Sequence, residues 1–202
     1  AFLLDDETVA RLTRNSFRTT TVDNVELTPE IKELEFTLEQ IELGNFDHFM
    51  LKEIHEQPNT LRTCIQGRVD AVGSKIVLGG VADFEAEIVK AKRVLMLGQG
   101  TALHAAMIGE YLFEKLAGIP TEVEFASEFR YRNPIVEENT IAIAVSQSGE
   151  TADTLAAVLE AKRRGALTFG AVNVVGSTIS RETDAGVYLR VGPEIGVAST
   201  KA

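Results

Sequence analysis

Apolar residues in this chain change period at definite places. From residue 93 onward, short β-branched runs (Arg93 to Leu97, Thr121 to Phe125, Ile141 to Val145, Phe169 to Val174, Gly186 to Val191) alternate with stretches of helical period. Leu103, Met107, Ile108, Tyr111, Leu112 and Leu116 form one such stripe, ending at Gly118; Ala152, Leu155, Ala156 and Leu159 form another. A short helical turn is expected around Ser127 to Tyr131, and a helical or turn connection from Gly176 to Asp184. Strands alternating with helices predict a three-layer α/β fold: a five-stranded parallel, doubly wound sheet of order 2-1-3-4-5 with right-handed crossovers.

Before residue 93 the pattern is less regular. Val9 to Arg14 and Phe17 to Val22 read as short strands separated by Asn15-Ser16, too few to bury a core alone. Residues 28–45 are rich in acids, with Ile31, Leu34, Leu38 and Ile41 at helical spacing, and read as a partly helical linker. Phe49, Met50, Ile54, Leu61, Cys64 and Ile65 are apolar positions of a helical stretch over 46–66. Because Pro58 suits the first turn of a new helix, two consecutive helices are expected there, with Cys64 packing as a small hydrophobe. The segment from Gly67 to Glu87, broken by Gly73, Gly79 and Gly80, carries no clear pattern.

The stretch Ile141 to Ala157 holds the candidate chemistry. Its strand stops at Ser146-Gln147-Ser148-Gly149 and a helix starts at once, with Glu150 and Asp153 at its beginning and Lys162, Arg163, Arg164 and Gly165 at its end. Unpaired backbone amides at a positive dipole end, among the hydroxyls of Ser146, Ser148 and Thr151, can hold a phosphate without Lys or Arg. The competing reading is that Ser148 or Thr151 merely caps the helix. In the predicted strand order this loop and Gly98 to Ala102 diverge at the topological switch point and share one crevice.

Gly98-Gln99-Gly100 also begins a dinucleotide fingerprint, with Glu124 at the distance of a ribose acid, but the third glycine position is Leu103. His104, one turn into the following helix, is either a general base or a solvated helix residue; His48 and His55, seven apart, fit ordinary surface or packing roles. The formal net charge of −10 argues against nucleic acid or an anionic membrane as partner. One cysteine, Cys64, excludes an intrachain disulfide, and no zinc-spaced cluster occurs. With no signal peptide and no apolar run long enough for a bilayer, a cytoplasmic setting is the expectation. The chain opens at Ala1 without Met and stops at Ser199-Thr200-Lys201-Ala202, and so reads as a piece of a longer protein.

Four separated motifs, HFMLKEIHEQP (His48 to Pro58), ASEFRYR (Ala126 to Arg132), SQSGETADTL (Ser146 to Leu155) and PEIGVASTKA (Pro193 to Ala202), together resemble the isomerase half of the glucosamine-6-phosphate synthase, or glutamine:fructose-6-phosphate aminotransferase, family. The resemblance implies that residues 46–202 are the first of two sugar-isomerase (SIS) subdomains, that 28–45 is a linker, and that 1–27 are closing strands of an N-terminal glutaminase domain. It implies a reaction in which ammonia from glutamine is passed to fructose 6-phosphate to give glucosamine 6-phosphate. It also implies a sugar-phosphate site formed by Ser146, Gln147, Ser148 and Thr151, by Gln99, Gly100 and Thr101, and by Val197, Ala198 and Ser199. No cofactor or metal is implied; the partners are the second SIS subdomain and the glutaminase domain of the same protein, and a second copy in a homodimer.

Two departures stand out within that resemblance. Ala102 replaces a serine whose hydroxyl the family offers to the phosphate, a loss of roughly 0.5–1.5 kcal/mol, and Gln99 replaces a cysteine. The family's proton-shuttling Glu, its Lys residues and its ring-opening His belong to the second SIS subdomain, and the glutaminase nucleophile is an N-terminal cysteine that Cys64 does not match. The fragment is therefore expected to bind phosphosugar without turning it over. A non-catalytic SIS module that senses a phosphosugar is the alternative reading.

Overall fold

The computed structural model describes residues 7–28 and 42–202. Two compact units divide the chain, Ala1–Leu38 and Glu39–Ala202. In the first, β1 (Thr8–Leu12), β2 (Phe17–Thr21) and β3 (Glu26–Leu27) form an antiparallel sheet in that order, with Thr8 opposite Thr21 and Thr19 opposite Leu27. Thr19 is buried there, whereas Val9, Leu12 and Val22 are exposed, as three short strands with little to pack on require. The predicted helical character of 28–45 falls largely outside the described residues.

The second unit opens with α1 (Phe49–Ile65), a hairpin of β4 (Val69–Asp70) and β5 (Lys75–Ile76), a 3₁₀ turn over Gly79–Phe84 and α2 (Glu85–Lys90). Then follow β6 (Arg93–Gly98), α3 (Thr101–Leu112), β7 (Thr121–Phe125), α4 (Ala126–Phe129), β8 (Thr140–Ser146), α5 (Ala152–Arg163), β9 (Leu167–Val172), α6 (Thr178–Glu182) and β10 (Ala185–Tyr188). The five long-sheet strands are all parallel, in the order β10-β9-β8-β6-β7. Numbered from β6, that is the expected order 2-1-3-4-5.

Strand alternation explains how both faces of this sheet are apolar. Leu95 and Leu97 point to one side, where they pack with Ala142, Phe129, Ala157 and Ala161; Val94 and Met96 point to the other, with Ala106 and Ile143. The alanines of β8 and α5 let that helix lie close on the sheet, beneath fully buried Phe129 and Leu97. Burying a side chain of that size contributes about 1.5–3 kcal/mol. On the α3 side the cover is incomplete: an apolar cleft of about 630 Å³ opens between α2, the segment from Phe113 to Pro120 that follows α3, and the sheet, lined by Ile141, Ile143, Phe169 and Val187 among others.

Residues 49–65 depart from expectation in two ways. They form one helix, with Pro58 inside it, rather than two. Proline removes one backbone hydrogen bond and crowds the preceding turn. Here Glu53 and Glu56 before it, and Thr60 after it, all bind the same C-terminal segment, which holds the two halves in line. The second departure is one of polarity. Met50, Leu51, Ile54, Leu61 and Ile65 are exposed while Glu53 and Thr60 are buried, so α1 turns its polar side inward.

Candidate functional site

Three loops meet at the carboxyl ends of the sheet strands. Gln99, Gly100 and Thr101 follow β6; Ser146, Gln147, Ser148 and Thr151 follow β8; Val197, Ala198 and Ser199 come from the C-terminal segment. All ten line a single cavity of about 410 Å³, joined by Ala102, His104, Val145 and Thr154. The switch-point geometry read from the strand order is present: β6 and β8 are neighbours, and their following helices lie on opposite faces of the sheet.

The β8 loop is organised around its own hydroxyls. Ser146 Oγ accepts from the Gly149 amide at 3.0 Å, Ser148 Oγ accepts from the Glu150 amide at 3.1 Å, and Ser146 Oγ lies 3.4 Å from Thr151 Oγ1. Thr151 occupies the cap position of α5 but its side chain makes no cap hydrogen bond. The capping reading of Ser148 and Thr151 therefore fails, and the helix dipole faces the cavity with its first-turn amides uncapped by them.

Two carboxylates at that helix start are drawn away from the cavity. Glu150 Oε1 accepts from the Thr178 amide at 2.8 Å, and Asp153 pairs with Arg130 at 3.0 Å. Arg130 in turn stacks over Tyr131, with its guanidinium carbon 4.7 Å from the ring centroid. Gly149, at φ +66°, completes the loop; a Cβ there would strike the Ser177 hydroxyl.

The third wall is held differently. Val197 lines the cavity and is fully exposed. Ser199 Oγ donates to Glu194 Oε2 at 2.7 Å, which leaves that hydroxyl to act as an acceptor toward a ligand. Glu194 Oε1 also accepts from the amides of Thr200, at 2.6 Å, and Lys201, at 3.0 Å.

Sequence reasoning passed over Thr154. It is 1% exposed, lines the cavity, and its hydroxyl has no hydrogen-bond partner; the buried Gln99 Oε1 is in the same condition. A buried polar atom without a partner is uncommon and calls for a ligand or water. The available signal was spacing, since Thr154 lies three residues beyond Thr151 on the same helix face. Among the described lining residues, His104 is the only ionisable side chain.

The dinucleotide features serve other ends. A Cβ on Gly98 would lie 3.0 Å from the Leu103 amide, so that glycine permits close packing of helix on strand, and Leu103 is itself buried. Glu124 is ion-paired with Arg132 and does not line the cavity.

The model of the SIS domain family matches residues 87–202, which include every cavity residue named above. The chain belongs to the SIS domain family. Over 98% of its length it is 53% identical to the glutamine--fructose-6-phosphate aminotransferase [isomerizing] of Chlorobaculum tepidum, and 50% identical to the protein of the same name from Bacteroides thetaiotaomicron. It spans about a third of the length of these curated relatives, 32% and 33% respectively. Among solved structures, the C-terminal domain of glucosamine-fructose-6-phosphate aminotransferase from Francisella tularensis superposes with a TM-score of 0.71 at 36% identity. That match covers 79% of this chain and 44% of that one. Glucosamine-6-phosphate deaminase from Thermotoga maritima gives 0.55 at 26% identity, over 71% of this SIS chain and 40% of the other. No helix among the described residues is long and apolar enough to cross a membrane.

Proposed function

We propose that this SIS chain is the sugar-phosphate-binding part of a glutamine:fructose-6-phosphate aminotransferase. That enzyme converts fructose 6-phosphate and glutamine to glucosamine 6-phosphate and glutamate, a precursor step for amino-sugar and cell-envelope synthesis. The observation that carries the reading is the convergence of three polar loops on one cavity at an uncapped helix start. The similarity to enzymes of that name over 98% of the chain supports it.

In this reading the phosphate lies against the amides and hydroxyls of Ser146 to Thr151, and the sugar extends toward Val197 to Ser199. A helix N-terminus and a nest of amides suffice for a phosphate, and the described lining residues offer neither Lys nor Arg beside them. Isomerisation needs a base within hydrogen-bond reach of the C1 or C2 proton. Among the described lining residues His104 alone is ionisable, so the chain's part is to bind and orient the substrate while groups outside it move the protons. Residues 46–202 are then the first SIS subdomain, 28–45 a linker and 1–27 the end of a glutaminase domain. A homodimer and a cytoplasmic setting, where phosphosugars are retained, complete the proposal.

Calorimetric titration with fructose 6-phosphate tests it, with fructose, inorganic phosphate and NAD as controls. Binding of the phosphosugar more tightly than phosphate, with no response to fructose or NAD, is the expected result. A folded chain that binds none of them, or binds NAD alone, overturns the reading.

A further inference from the structure

HFMLKEIHEQP and PEIGVASTKA lie about 140 residues apart in the sequence, yet they are each other's partners in space. Glu53 in α1 is only 3% exposed, and its carboxylate accepts from the Ile195 amide at 2.5 Å and from the Gly196 amide at 3.2 and 3.1 Å. The approach leaves no room for a side chain: a Cβ on Gly196 would lie 2.5 Å from Glu53 Oε2 and 3.4 Å from the Met50 Cα. One turn further along α1, Glu56 pairs with Lys201 at 2.6 Å, where the lysine side chain is 4% exposed, and Gln57 donates to the Thr200 carbonyl. The segment is thus clamped at Ile195–Gly196 and again at Thr200–Lys201. Between the two clamps stand Val197, Ala198 and Ser199, which face the cavity.

We propose that Glu53 is a positioning residue for the sugar end of the site. It touches no substrate; its carboxylate fixes the backbone of Ile195 and Gly196, and so sets where the next three residues present their backbone and the Ser199 hydroxyl. Charge-assisted hydrogen bonds to backbone amides are among the stronger ones, and withdrawing the buried acceptor leaves two part-buried amides without their partner. This also explains why α1 buries its polar side, since that side grips the C-terminal segment. The inference rests on the phosphosugar reading of the cavity.

Three variants of the full chain test it. Glu53→Gln keeps the shape but loses the charge and turns an N–H toward one amide; Glu53→Asp keeps the charge and shortens the reach; Glu53→Ala removes both. Glu53→Gln is expected to weaken fructose 6-phosphate binding about ten-fold, or about 1.4 kcal/mol, while inorganic phosphate, which uses only the β8 loop, binds within about two-fold of wild type. Faster amide hydrogen exchange at Ile195 and Gly196 should accompany the loss, and Glu53→Asp should fall between Glu53→Gln and wild type. A folded Glu53→Gln chain with unchanged phosphosugar affinity, or with both ligands weakened equally, overturns the positioning role. Failure of the wild-type chain to prefer fructose 6-phosphate over phosphate overturns instead the functional reading beneath it.

Discussion

Arg130, at the end of α4, reaches the first turn of α5 and places its Nη1 3.0 Å from Oδ1 of Asp153. An acid in a first turn normally favours the helix, but one beside an anion site competes with the anion. Pairing it with Arg130 keeps the first benefit and mutes the second.

Removing that guanidinium with Arg130→Gln should therefore weaken phosphosugar binding by about 0.3–1 kcal/mol, roughly two- to five-fold. Asp153→Asn in the same chain should restore it. Titration of the single and double variants checks this; a double variant no better than Arg130→Gln would mean that the arginine acts by some route other than Asp153.

Gly149→Ala places a methyl group against the Ser177 hydroxyl at a backbone conformation that L-residues seldom adopt. About 1–3 kcal/mol of strain is expected, read as a lowered thermal midpoint together with lost binding. Adding Ser177→Ala removes the hydroxyl but leaves the residue's Cβ 2.5 Å from the new methyl and the dihedral strain in place, so recovery should be partial at most. Full recovery, or no initial loss, would show that the loop has slack which the structure does not display.

Ala102→Ser offers the cavity one more hydroxyl at the start of α3. A neutral hydrogen bond gained there contributes roughly 0.5–1.5 kcal/mol, so affinity for the phosphosugar should rise by about two- to ten-fold. A change for fructose as large as that for fructose 6-phosphate would place the new hydroxyl on the sugar rather than the phosphate.

Acid should loosen the α5 end of the unit in a defined window. Hydrogen bonds from Arg163 and Arg164 hold the Glu160 carboxyl at a pKa of about 2, down from 4.5. At Asp184 burial pushes the carboxyl up, but Lys162 and the amide and hydroxyl of Thr168 outweigh it and the net shift is downward. Carboxylates depressed in the folded state stabilise it fully above their unfolded pKa and lose that contribution as pH falls through the folded one. For Glu160 the loss therefore runs from pH 4.5 down to about 2. Thermal midpoints over that range should fall less steeply in Glu160→Gln than in wild type; parallel curves would uncouple this cluster from folding.

Local signals carried much of this architecture in the sequence. Strand order followed from five apolar runs and the crossover rule, and the β8 loop announced itself through hydroxyls at a strand-to-helix junction. Contacts between distant segments were not legible. Nothing local to Pro58 tells that 49–65 continues through it, because the restraint comes from residues 195–201. The same blindness hid the role of Glu53 and the partner of Asp153. Thr154 was missed for a different reason: a threonine within a helix is ordinary until its hydroxyl is seen to lack a partner.

That the described lining residues include no lysine or arginine has a kinetic consequence. At a net charge of −10 the chain repels a phosphosugar dianion during approach, and the attraction of the helix start takes over only within a few ångströms. Added salt shortens the Debye length from about 30 Å at 0.01 M to about 8 Å at 0.15 M, and so screens the repulsion more than the contact. Association should therefore quicken with ionic strength, in stopped-flow mixing with an inert salt such as chloride, where sites built from cations slow down.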